Sequence, residues 1–292
     1  MKTRIFNFFI FLLYTVSFGA IAYLTYYGWE YYQIPIIERP HAELHTILKP
    51  GGLWGHGYGV VGSSFILLLF LYSLRKRSLL GLRFGNITKW LNVHIFFGLV
   101  GPLLITLHTA GKLHGLVSIS YYSMLAVMFS GIIGRYIYIQ IPRDEEGHEL
   151  AVGQIEEKNR VLNEMIIENY QIDSESMYEI NERASSAVGE DATGIILLIQ
   201  IFLDDLVRPF RFWRLKSYIR KNHPSFPPKA IRRIMMISKS KALLQRRKVV
   251  LGAITNIFHL WHVVHKPFAW IMIIIMLVHV SITILMGYKW VF

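Results

Sequence analysis

The chain is 292 residues long, 53% hydrophobic, and carries a net charge of +12 with a mean hydropathy of +0.38. That hydropathy excludes an ordinary soluble domain. The absence of cysteine excludes disulfides, thiolate-ligated iron–sulfur clusters, thiolate haem and covalently attached haem.

Five apolar spans are predicted in chain order. The first covers about residues 5–27, after Lys2 and Arg4. Ala20-Ile21-Ala22 resembles a signal cleavage site, but the apolar run continues past it, which favours a retained helix. The glycine-rich stretch 50–59 follows and reads as irregular outer loop tucked against something. Span two covers about 58–74 and stops at Arg75, Lys76 and Arg77. Span three covers about 91–113 and span four 117–141. Span five covers about 262–288, and its helix is expected to begin well before the membrane.

The loops set the orientation. Arg75, Lys76, Arg77, Arg83 and Lys89 lie between spans two and three, and many more cations lie between spans four and five. The opposite side has only Arg39, Lys49, Lys112 and Lys289. The positive-inside rule then predicts a cytoplasmic N-terminus, cytoplasmic basic loops and an outer C-terminus. The excess positive charge is thus accounted for by topology, with no nucleic-acid partner. There is no G-x-G-x-x-G turn and no Walker motif, hence no recognisable nucleotide domain.

The long segment before span five divides by charge. Residues 144–191 hold fourteen acidic and three basic residues and read as a solvated helix or helix pair. Residues 208–248 hold fourteen basic and no acidic residues. With Phe210, Phe212 and Trp213 among the arginines, they read as an interfacial helix lying on anionic lipid, or as a docking surface for a cytoplasmic partner. The apolar run 195–203 is too short to span. The organisation expected is therefore 1–57, an N-terminal transmembrane helix and outer loop; 58–141, spans two to four; 142–250, a helical cytoplasmic insertion; and 251–292, the last span.

Histidines carry the chemistry. His94 and His108 lie fourteen residues apart in span three, and His265 and His279 fourteen apart in span five. Fourteen helical residues rise ~21 Å and close nearly whole turns, so each pair faces one way at two depths. Intramembrane ionisable groups are costly and point to function. If spans three and five run in the same direction, His94 is level with His265 near the cytoplasmic face, and His108 with His279 near the outer face. Four imidazoles so arranged suit two stacked haems, each held by one histidine from each helix, and all four are the expected iron ligands. Buried polar packing or a proton relay is the competing account.

Neighbouring positions bear on the same reading. The ligand stripe of span three contains Gly98 and Gly101, where a macrocycle could press on the backbone, although glycine also serves close helix packing. The stripe of span five runs His265, Ala269, Met272, Met276, His279. His259, His262 and His265 compete for the inner ligand role; at ~100° per residue His265 is only about 40° from His279. His262, and more remotely His259, is then a candidate for a propionate, a quinone carbonyl or a proton path. Arg135, in the run Ser130-Gly131-Ile132-Ile133-Gly134-Arg135, is a candidate propionate partner or a snorkelling cation. Pro267 is a candidate kink. His41 and His45 are four apart with no third ligand, and His56 and His114 have no assigned role.

On the two histidine pairs, the glycines of span three and the bundle they imply, the chain resembles bacterial di-haem membrane cytochromes b, the cytochrome b and ferric-reductase-like transmembrane group. The resemblance covers spans two to five. It implies two non-covalent, bis-histidine haems b on His94, His108, His265 and His279, and a four-helix haem-binding bundle within an all-α protein of five membrane helices. It implies electron transfer across a bacterial inner membrane, between a quinone pool and another redox subunit such as a multihaem cytochrome or an iron–sulfur protein. Such a chain is an electron-transfer subunit of an oxidoreductase complex. The roughly hundred-residue insertion and the lack of a flavin and nicotinamide domain depart from the ferric-reductase pattern. Two other readings stand beside it: a lone quinone or metal reductase, and a non-redox, proton-coupled transporter.

Overall fold

The computed structural model describes residues 2–78, 81, 85–143, 150–170, 172–189 and 193–287. Arg83, Tyr288, Lys289 and the acidic residues at 144–149 and 190–191 lie outside the described residues. The protein is all-helical, with no strand among the described residues. The helices are α1 (Lys2–Tyr27), α2 (Trp29–Gln33), a 3₁₀ turn (Arg39–His41), α3 (His45–Leu48), α4 (Leu53–Lys76), α5 (Ile87–Thr109), α6 (Leu116–Gln140), α7 (Val152–Tyr170), α8 (Ser174–Ala184), α9 (Gly194–Asn222) and α10 (Pro228–Leu285). Five of them, α1, α4, α5, α6 and α10, are long and apolar enough to cross a membrane, which makes this a membrane protein.

Two compact units divide the chain: residues 1–133 with 262–292, and residues 134–261. Both α6 and α10 run through the division as unbroken helices. In the first unit α4 and α5 pack along their length. Gly62 and Gly101 make that approach possible, because a methyl on Gly101 would lie 3.3 Å from the Gly62 carbonyl oxygen. A second contact gathers α4, α5, α6 and α10 around Ile66, Met124, Met272, Ile273 and Met276. Helix α1 sits to one side, with Leu13, Tyr14 and Ile21 against Phe96 and Val100 of α5. Most of its apolar surface is exposed, as expected for a peripheral helix facing lipid.

One expectation changes here. The glycine-rich stretch is not irregular throughout: α4 begins at Leu53, so Gly55, Gly59 and Gly62 form a buried face of its first turns, with Gly57 buried on another side. The missing side chains let that face lie directly on α5 and on the preceding segment. Gly101 faces α4, so its lack of a side chain serves helix packing. The long helix ending in span five begins at Pro228, far before the apolar stretch, and runs through Pro267.

The second unit has its own core. Ile166 of α7, Met177 and Ile180 of α8, Phe212, Leu215 and Ile219 of α9, and Ile231 and Ile234 of α10 pack together. The acidic helices are therefore not merely solvated, and the basic stretch 208–248 is not wholly interfacial. Phe212 is core, while Phe210 and Trp213 stack on each other outside. Apolar residues at helical spacing, spread thinly among the charges, build this core.

Candidate site: paired histidines in the first unit

Helices α5 and α10 bring the predicted histidines together in the expected combinations. His94, His262 and Lys266 lie within electrostatic range of His265, and His279 and His56 within that of His108. His56 is within that range of His279 as well. The four residues thus form two groups, one at each end of the ~21 Å separation along α5. Such pairing requires α5 and this part of α10 to run in the same direction.

Each ring is held from a particular side. Nδ1 of His94 lies 3.2 Å from the Leu69 carbonyl oxygen, and the ring rests beside Tyr72. Nδ1 of His108 lies 2.8 Å from the Gly55 carbonyl oxygen. A carbonyl only accepts, so in both rings Nδ1 carries the proton. Nδ1 of His265 lies 2.7 Å from Oγ of Ser130, whose hydroxyl donates to the Val127 carbonyl at 3.0 Å. That hydroxyl oxygen accepts from His265, giving the same tautomer. In the neutral state all three imidazoles then present the Nε2 lone pair, the form in which histidine binds a metal with its other nitrogen anchored.

A glycine admits one of the rings. A methyl on Gly59 would lie 2.7 Å from Nδ1 of His108, so only glycine leaves room for the ring there. One on Gly131 would sit 4.0 Å from Cε1 of His265. One on Gly98 would sit 3.8 Å from Leu69, so at both Gly131 and Gly98 a methyl makes only ordinary contact.

The remaining candidates fall elsewhere. His262 joins the His94/His265 group, and His56 joins the other, its ring centroid 6.4 Å from that of His108. Arg135 belongs to the second unit and lies over the Tyr138 ring at 5.6 Å. His259 is exposed in that unit, and His41 and His114 are exposed in the first. His45 is 3.1 Å from the Tyr31 hydroxyl. Among the described residues no group of three or more histidine or acidic side chains is placed to hold a metal ion by itself. A bis-histidine haem iron takes only two protein ligands.

Three features were missed from sequence. The Leu69 and Gly55 carbonyls leave no trace in residue identity. Ser130 does have one, a hydroxyl inside an apolar span. Arg39, counted only as an outer-side cation, is buried: Nε donates to the Ile34 carbonyl at 2.8 Å, Nη2 to Tyr32 at 2.9 Å, and Nη1 to Ala110. It ties segment 28–49 to the C-terminus of α5, where Ala110 adopts a left-handed conformation at φ 45°.

Comparison with protein-family profiles, curated protein sequences and solved structures finds no match.

Proposed function

We propose that this protein is a di-haem b-type membrane cytochrome that carries electrons across the bacterial inner membrane, its N-terminus cytoplasmic. One terminus of the path is a quinone pool. The other is a redox subunit, such as a multihaem cytochrome or an iron–sulfur protein. The observation that carries the reading is the set of imidazoles at two depths, three of them anchored through Nδ1 by an acceptor.

His94 and His265 would hold one haem, and His108 and His279 the other. When bound, each haem iron supplies reversible one-electron transfer, with no protein nucleophile needed. The chain's own task is orientation and electrostatics. The Leu69 and Gly55 carbonyls and the Ser130 hydroxyl fix ring direction and keep the lone pair on Nε2. Gly59 clears space for the His108 ring. His262 and Lys266 beside one pair, and His56 beside the other, supply donors for a propionate and routes for a proton.

Alanine substitution tests the pairing. His94→Ala and His265→Ala should abolish the same low-spin haem signal in electron paramagnetic resonance, and His108→Ala and His279→Ala the other. Loss of one common signal from His94→Ala and His279→Ala would refute it.

A further inference from the structure

Helix α9 carries an exposed apolar stripe that no other described residue of its unit buries. Ile195, Ile199, Phe202, Leu206, Phe210 and Trp213 are each more than half exposed. At ~100° per residue they fall on one side of the helix, and the buried residues Leu197, Ile201, Phe212, Leu215 and Ile219 fall on the opposite side. So long an exposed apolar face is unusual in water.

Its position identifies what covers it. Leu197 and Ile201 pack with Ile137 and Ile141, at the C-terminal end of the α6 span, and with Val250 and Ile254 of α10. The Tyr136 ring meets Phe202 at 6.4 Å, and its hydroxyl donates to Asp205 at 2.8 Å. Helix α9 therefore crosses α6 at the turns where a span leaves the hydrocarbon. Arg214 and Lys216 flank the stripe, and Arg220 and Lys221 continue its direction at the helix C-terminus. A cation-rimmed apolar stripe bearing Phe and Trp matches the boundary between acyl chains and anionic headgroups. It does not suit a second copy of this chain. Between Arg208 and Lys248 there is no acidic residue, so two copies would oppose like charges.

We propose that α9 lies in the plane of the membrane, its 195–213 face sunk into the leaflet that the C-terminal end of α6 reaches. The helix anchors the second unit to lipid independently of any haem. The embedded residues are thus the apolar run 195–203 together with Leu206, Phe210 and Trp213, too short to span but suited to lie flat.

The chain has no cysteine, so one introduced thiol takes a spin label without competition. Leu206→Cys and, separately, Phe202→Cys would be labelled in the full chain and reconstituted into phosphatidylcholine–phosphatidylglycerol nanodiscs. Glu157→Cys, on the exposed side of α7, serves as the aqueous reference. The expected result is a several-fold higher ratio of oxygen to nickel-chelate accessibility at 202 and 206 than at 157. Equal nickel accessibility at all three sites would place the stripe in water and overturn the proposal. Protection from both reagents would overturn it too. Dipolar broadening between labels would then identify a second copy as the occupant, and its absence would identify packing within the chain.

Discussion

Replacement of Asp204 by asparagine should loosen α9 from α10 without disturbing α4 and α5. The Asp204 carboxylate accepts from Arg211 at 2.6 Å and from Arg246 at 2.7 Å. Arg246 also donates to Asp205 at 2.7 Å and to Gln140 at 2.9 Å, and Asp205 is shared with Arg208 and Tyr136. The side chains of Asp204 and Arg246 are 4% and 2% exposed, so water cannot replace a lost partner. Breaking one member of a buried pair costs about 3–5 kcal/mol. Because Asp205 still faces Arg246, the lower end applies, about 3 kcal/mol, or roughly a hundredfold more frequent opening. Hydrogen exchange followed by mass spectrometry would read this in peptides covering 197–215 and 240–254, with α4 and α5 as internal controls. Burial alone would push the Asp204 carboxyl up, but Arg211 and Arg246 hold it below its usual value. Its contribution is therefore complete above the ordinary carboxylate range and is lost as pH falls through the depressed value. The asparagine variant should lack that acid-side loss. Unchanged exchange in 197–215, or a pH response identical to wild type, would refute the reasoning.

Three further outcomes are expected. Ser130→Ala removes the acceptor at Nδ1 of His265 and should weaken retention of one haem about 10- to 100-fold, leaving the other intact; haem release to apomyoglobin measures it. Gly59→Leu would drive a side chain into the His108 ring and should selectively lose the second haem signal, with about 1–3 kcal/mol of overpacking. Burial holds the Lys241 ammonium down to about 8, between Asn163 and Asn181. The unfolded chain binds the extra proton above that value, so stability of the second unit should rise from about pH 8 to about pH 10.5. Lys241→Met should show no such rise in matched thermal melts.

How much of this was legible in the sequence differs by element. The five spans were, because length and apolarity alone define a helix that can cross a bilayer. The placement of His94 and His108, and of His265 and His279, fourteen residues apart on single helices was also legible, because helical rise and turn follow from spacing alone. The second unit was not. Ile166, Ile180, Ile219 and Ile234 lie in short apolar stretches broken by charges, and only the tertiary fold shows that they meet. Asp204 and Asp205 look like solvated residues closing an apolar run, yet they neutralise Arg246, forty residues later. Arg39 likewise counted as a surface cation because its three carbonyl partners, at the C-terminal ends of α2 and α5, carry no sequence signal. The start of α4 was misread since glycines at 55, 57 and 59 favour loops in isolation. Packing against α5 overrides that preference.

The central claim is tested most directly by the haem content of the purified full-length chain, read as a pyridine haemochrome and a reduced-minus-oxidised spectrum. Two haems b per polypeptide, both low-spin with bis-histidine character, are the predicted result. A colourless, iron-free preparation that remains folded would contradict it.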